Sequence, residues 1–247
     1  MRIAISGAPS QGKTLLTENF LNNWSNYTLF ATPFDVNKDL NKKNQWDHLQ
    51  LTLNAVNNKS RTANNLYRGT PLDNLVFSLW ANEKGIGDID DDFIKKCIPL
   101  VKEGSKYIDI YFYTVITKVA LVQTGAASDP EVMERIKEID NIYKAIAAGL
   151  INGNCPFMDP EDRPPVIEIF GSPLERIEMV KLYLNKDGGL YDDGNTVFSN
   201  ENLDLMEQVL REQREVAEVE KMEQQVKNTV SIFNEKDFKT EVKPKKS

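Results

Sequence analysis

The chain has 247 residues, enough for one large α/β domain or for a domain of roughly 200 residues with an appendage. Its 37 acidic against 30 basic residues leave a net charge of −7, which opposes sequence-independent attraction to a phosphate backbone, so a nucleic-acid partner is not expected. With 40% hydrophobic and 27% charged residues the chain should fold, no apolar run approaches the ~20 residues of a membrane span, and Cys97 and Cys155 lie far apart, so the expectation is a cytoplasmic protein with reduced thiols and no membrane partner.

Residues 1–6 (MRIAIS) are a short β-branched run of the kind that forms a buried parallel strand, followed at once by a glycine loop and a helical pattern over 15–24. A second strand is predicted over 27–34 and a helix over 48–56, carrying Leu49, Leu51, Leu53 and Val56. Apolar residues at 72, 75, 76, 79 and 80 behind Pro71 have the spacing of a helix face. Another helix is predicted over 88–102. Its acidic opening of Asp88, Asp90, Asp91 and Asp92 lacks the EF-hand glycine and has Pro99 in place of the bidentate Glu, so these residues read as caps. An aromatic and β-branched strand over 107–115, a long helix over 131–151, a strand over 166–170 and a helix beginning near Leu174 complete the core pattern. Strands alternating with helices imply a parallel sheet covered on both faces.

Turn formers over 187–195 suggest a linker, and from 201 to 230 Met206, Val209, Val216, Val219, Met222, Val226 and Val230 trace a stripe through densely charged sequence. The domain plan is therefore a core over 1–185, a linker over 186–198, an amphipathic helical extension over 199–233 and a disordered lysine-bearing tail over 234–247. That helix would pack on its own domain, pair with a second copy or dock onto a protein partner. His48 is the one histidine and there is no Cys/His cluster, so a zinc site is not expected.

Gly7-Ala8-Pro9-Ser10-Gln11-Gly12-Lys13-Thr14 matches G-x-x-x-x-G-K-[ST] at every fixed position, between a predicted strand and a predicted helix. Glycines let consecutive N–H groups turn inward toward phosphate oxygens, and the helix N-terminus adds its positive end. Lys13 then reaches the β and γ phosphates, and the Thr14 hydroxyl is placed for Mg²⁺. The expected ligand set for ATP or a similar triphosphate is the motif itself with Leu15 after it.

The order MRIAISGAPSQGKT, RGTPLDNLVFSLW, YIDIYFYTV, VIEIFGSPLERI resembles the nucleoside and nucleotide kinase-like P-loop ATPases over residues 1–184. Within that group it is similar to nicotinamide-riboside-kinase-type domains and phage-encoded kinase-like relatives. The resemblance implies a three-layer P-loop NTPase fold with a mostly parallel five-stranded sheet, ATP and Mg²⁺ as cofactors, and a small nucleoside or nucleotide acceptor opposite the ATP. The family's Asp-Arg pair is missing: in Leu66-Tyr67-Arg68-Gly69-Thr70-Pro71, either Tyr67 replaces the aspartate or Arg68 and Gly69 replace the pair. Asp73 or Asp35 could supply the carboxylate, although Asp73 also suits a helix-start residue stabilising the dipole. The stretch 126–144 would be the lid, with Arg135, Lys137 and Lys144 as its cations. Asp129-Pro130 followed by Val132, Ile136, Ile139 and Tyr143 equally describes a capped covering helix. Gly171-Ser172-Pro173 falls where related folds touch adenine, with Arg176 shortly after, and a plain strand-to-helix turn explains it as well.

Two functions follow. One is a kinase transferring the γ-phosphoryl group of ATP, with Lys13, Arg68, Asp73 and Arg135 as its working residues. The other is an ATP-binding or ATPase switch that engages a protein assembly through its C-terminal helix. A polynucleotide end kinase runs against the acidic balance.

Overall fold

Five short strands, all parallel, form one sheet in the order β2-β3-β1-β4-β5. The computed structural model of the chain describes residues 1–32, 40–57, 64–117 and 129–191. The helical extension over 199–233, the tail, Asp35 and the start of the stretch read as a lid lie outside the described residues. In chain order the elements are β1 (Arg2–Gly7), α1 (Lys13–Asn23), β2 (Thr28–Ala31), α2 (Lys42–Val56), β3 (Asn65–Arg68), α3 (Pro71–Lys84), α4 (Asp91–Ser105), β4 (Ile110–Thr114), α5 (Pro130–Ile151), β5 (Val166–Ile169) and α6 (Pro173–Lys181).

The period-two alternation of β1 divides the core. Ile3 and Ile5 pack with Leu16 and Phe20 of α1, with Trp24 just after it, and with Ile177 and Val180 of α6. Ala4, on the opposite face, joins Leu49 of α2, Leu75 and Val76 of α3, Cys97 and Val101 of α4, and Ile139 and Tyr143 of α5. Helices on both faces of a parallel sheet are the three-layer α/β arrangement expected, and a glycine loop between β1 and α1 makes it a P-loop fold.

β3 is the strand that the residue pattern did not predict. Its sequence, Asn65-Leu66-Tyr67-Arg68, is short and half polar, and it is a strand because it is held between two parallel partners, Leu66 beside Ile3 on one side and Leu29 on the other. Burial of Asn65 is offset by a 3.2 Å hydrogen bond from its Nδ2 to the Tyr67 hydroxyl, and the Tyr67 ring stacks on Phe30 at 5.4 Å.

The acidic opening of α4 does cap: the Asp90 side chain accepts from Phe93 N at 2.9 Å, and Lys42 bridges to Asp90 at 2.6 Å. From residue 129 on, the stretch considered as a lid is a covering helix. Asp129 accepts from Glu131 N and Val132 N, and Ile136, Ile139, Tyr143 and Ile146 form its buried stripe.

The compact unit runs through Tyr191, so residues 186–191, expected as linker, belong to it. The reason is aromatic. Trp24 and Tyr27 are buried with polar tips that need partners, and Trp24 Nε1 donates to Asn185 O at 2.8 Å while the Tyr27 hydroxyl donates to Gly188 O at 2.5 Å. Among the described residues no helix is long and apolar enough to cross a membrane. Cys97 and Cys155 are buried free thiols, and burial pushes the Cys97 thiol up to about 11.

Candidate phosphate-binding site

The loop begins where β1 ends, at the carboxyl edge of the sheet between the ends of β3 and β4. Gly7 has φ 142°, and a Cβ there would lie 2.1 Å from Thr114 Oγ1 and 2.8 Å from Thr114 O. The side-chain oxygen could turn away, but the carbonyl of β4 is fixed by the sheet. Gly7→Ala should therefore cost on the order of 3 kcal/mol, combining strained backbone with overpacking. Urea unfolding of the variant measures it, and an unchanged midpoint would mean that the close approach is absent.

Two further residues turn to positive φ, Ser10 at 60° and Gly12 at 72°, and Gly12 is the left-handed N-cap of α1. Alternation of left- and right-handed backbone brings successive N–H groups to one side, the concave nest that receives anions. Gly7 and Ala8 are buried, Pro9 and Ser10 half-buried, and Gln11 buried, whereas Leu15 is 42% exposed on the first turn of α1.

Three cations meet at this loop. Lys13 donates from Nζ to Gly7 O at 2.7 Å and to Ala8 O at 2.6 Å, so its ammonium lies folded into the cradle. Burial, reinforced by the Arg68 and Arg176 charges and opposed by Asp73 and Asp140, pushes its pKa down to about 8. Arg68, at the end of β3, donates from Nη1 to Thr14 Oγ1 at 2.9 Å. Arg176 reaches the loop from α6, where it is only 2% exposed, and its Nη1 donates to Gln11 O. Arg176 Nε and Gln11 Nε2 are both buried without a hydrogen-bond partner. Buried donors left unpaired beside an anion cradle are costly by themselves and complementary to a polyanion.

Asp73 sits at the third position of α3 and forms a capping box with Thr70. One of its oxygens, Oδ2, accepts from Thr70 N at 2.7 Å, Thr70 Oγ1 at 2.7 Å and Ser6 Oγ at 3.1 Å, while Oδ1 accepts from the Tyr143 hydroxyl at 2.5 Å. Three donors crowd Oδ2 and one engages Oδ1, so both carboxylate oxygens are held. A second buried carboxylate, Asp140 of α5, accepts from the Tyr113 hydroxyl at 2.7 Å and pairs with Lys144 at 2.7 Å. Tyr113 and Tyr143 stack at 5.5 Å, so the two networks join across the sheet face below the loop. Lys144 also donates to Ile116 O at 3.0 Å, which ties it to the chain leaving β4.

The Mg²⁺ that the resemblance implies finds a poor fit among these donors. The Thr14 hydroxyl is engaged by a guanidinium, which cannot give up its charge, and Asp73, the carboxylate that acts most strongly on Lys13, already accepts four hydrogen bonds. Among the described residues no group of three His, Cys, Asp or Glu could hold a metal ion.

Of the residues singled out from sequence, the loop, Arg68 and Asp73 are brought to one place. Arg68 reaches the loop, while Tyr67 is buried in the core. Arg135 lies on the covering helix α5, and Gly171 and Ser172 form a strand-to-helix turn closed by a Ser172–Glu175 capping box. Sequence reasoning gave Arg176 no role. The available signal was a charged residue on the buried stripe of α6, next to Ile177 and one turn from Val180. The Asp140 to Tyr113 link was also missed.

No protein-family model and no curated protein matches the chain. The solved structures similar to it include two kinases. One, of a deoxyadenosine kinase from M. mycoides with the products dCMP and a flexible dCDP bound, has a TM-score of 0.48 at 13% identity, covering 73% of this chain and 96% of that one. The other, a thymidylate kinase from Candida albicans, has a TM-score of 0.44 at 14% identity, covering 77% of this chain and 94% of that one.

Proposed function

We propose that the chain binds a nucleoside triphosphate, ATP, in the Gly7 to Thr14 loop and transfers its γ-phosphoryl group to a small nucleoside or nucleotide. The observation that carries this reading is the convergence of Lys13, Arg68 and Arg176 on a nest of main-chain amides at the carboxyl edge of a parallel sheet. Phosphoryl transfer passes through a loose transition state whose needs are alignment and charge neutralisation, and these side chains supply both. In this reading Asp73 acts by holding Ser6, Thr70 and Tyr143 in place beneath the loop. Arg135, about one and a half turns before Asp140 on α5, is the candidate for gripping the transferred phosphate. Leu15 contributes through its backbone rather than its exposed side chain. A reducing, cytoplasmic setting belongs to the same proposal and accords with the two free thiols.

The test is labelled ATP incubated with a panel of nucleosides and nucleoside monophosphates beside a control without acceptor. Acceptor-dependent labelled product is the expected result. Hydrolysis without acceptor dependence, or binding with no turnover, would remove the transferase and leave a nucleotide-binding module.

A proton balance checks the site independently. With its pKa near 8, Lys13 of the empty protein is mostly neutral at pH 9, and a bound polyphosphate favours the ammonium and raises that value. Binding should therefore take up a proton between pH 8 and 10, and affinity should fall as pH rises through that window. Calorimetry in two buffers of different ionisation enthalpy reads the uptake, and zero uptake at pH 9 would place Lys13 away from the phosphates.

A further inference from the structure

We propose that Arg68 occupies the position on Thr14 that a divalent cation would take, so that the loop receives its triphosphate as a metal-free polyanion. This rests on the triphosphate reading above and specifies the chemical form of the ligand. The Arg68 Nη1 to Thr14 Oγ1 bond of 2.9 Å is the central observation. A hydroxyl oxygen that already accepts from a guanidinium is a weak ligand for a metal, and an ion placed on it would stand against a like charge that does not titrate.

The surroundings lead to the same conclusion. A metal in a phosphate site is ordinarily held by one or two carboxylates together with the phosphates themselves. Two carboxylates act on Lys13, and both are already engaged. Asp73 accepts four hydrogen bonds, and Asp140 is paired with Lys144 and bonded to Tyr113. Positive charge, in contrast, is supplied three times, by Lys13, Arg68 and the almost fully buried Arg176, whose Nε has no partner. That excess suits a fully ionised triphosphate, because an accompanying metal would neutralise charge the protein already neutralises. Arginine also presents its donors as a planar fork matched to phosphate oxygens, which a hydrated metal ion is not.

The experiment is a titration of the full chain with ATP, once in excess EDTA and once in excess magnesium, for the unaltered protein, Arg68→Ala and Arg68→Lys. The unaltered protein should bind ATP in EDTA at least as tightly as in magnesium. Arg68→Ala should weaken binding in EDTA by about 10- to 100-fold, the effect of losing a hydrogen bond to a charged group, and magnesium should recover part of the loss. Arg68→Lys, which keeps a cation on a similar stem, should retain more of the metal-free affinity than the alanine variant. Binding by the unaltered protein that is tenfold or more weaker in EDTA would overturn the proposal while leaving the triphosphate reading intact. Absence of ATP binding under both conditions would overturn both. The comparison on the unaltered protein decides the outcome even if a variant fails to fold, which circular dichroism of each variant shows.

Discussion

Replacing Lys13 with alanine is expected to lower ATP affinity by about two orders of magnitude or more, because it removes the cation that the loop presents to the phosphates. The same change should leave thermodynamic stability within about 1 kcal/mol of the parent, for two effects oppose each other. The variant loses two hydrogen bonds, to the carbonyls of Gly7 and Ala8, and it is relieved of an ammonium held in a partly desolvated position. The sign of the second effect can be read from pH. The folded-state pKa, near 8, lies below the ordinary lysine value of 10.5, so the unfolded chain binds the proton more tightly. The penalty is complete below pH 8 and fades as pH rises toward 10.5, so the parent should gain stability relative to Lys13→Ala across that interval. Nucleotide calorimetry together with urea unfolding at pH 7 and pH 10 measures both quantities. Full ATP affinity in the variant would end the phosphate-loop reading.

The local parts of this site were legible in the sequence, and the parts made by distant strands were not. Residues 7–14 carry their geometry in eight consecutive positions, so spacing suffices to place Gly12 at a helix cap and Lys13 inside the cradle. The capping box of Thr70 and Asp73 is likewise a four-residue pattern, and so is that of Ser172 and Glu175. β3 is different, since Asn65 and Arg68 become strand residues only when Arg2 and Ile5 on one side and Thr28 and Ala31 on the other are in place. Alternation in Asn65-Leu66-Tyr67-Arg68 tells a reader that Tyr67 and Arg68 point to opposite faces, but not which face lies under α1. That only Arg68 of the two reaches the loop was therefore not legible in sequence. Arg176 was noted beside the Gly171 turn but not assigned to the loop for a related reason, because its contact with Gln11 spans 165 residues. The boundary at 185 was drawn from turn formers, and the turn they make is fastened to Trp24 and Tyr27, far back in the chain.

Asp73 separates a structural role from a chemical one. Asp73→Ala would strand the Thr70 amide, the Ser6 hydroxyl and the Tyr143 hydroxyl in a buried site, and its expected cost is about 3–5 kcal/mol by urea unfolding. Asp73→Asn should cost only about 1 kcal/mol, because the amide oxygen can face the Thr70 donors while its NH₂ donates to the Tyr143 oxygen. The asparagine variant still removes a negative charge that raises the Lys13 pKa. Lys13 should then lose its proton at lower pH, and the fall in ATP affinity expected above pH 8 in the parent should begin below it. Binding isotherms from pH 6.5 to 10 for both proteins display that shift as a displaced midpoint. If Asp73 instead abstracted the acceptor proton, Asp73→Asn would abolish acceptor-dependent turnover at every pH while leaving the ATP isotherms superimposable. With three donors on Oδ2 and the Tyr143 hydroxyl on Oδ1, Asp73 is engaged in holding its neighbours, and the displaced midpoint, with turnover retained at neutral pH, is the expected outcome.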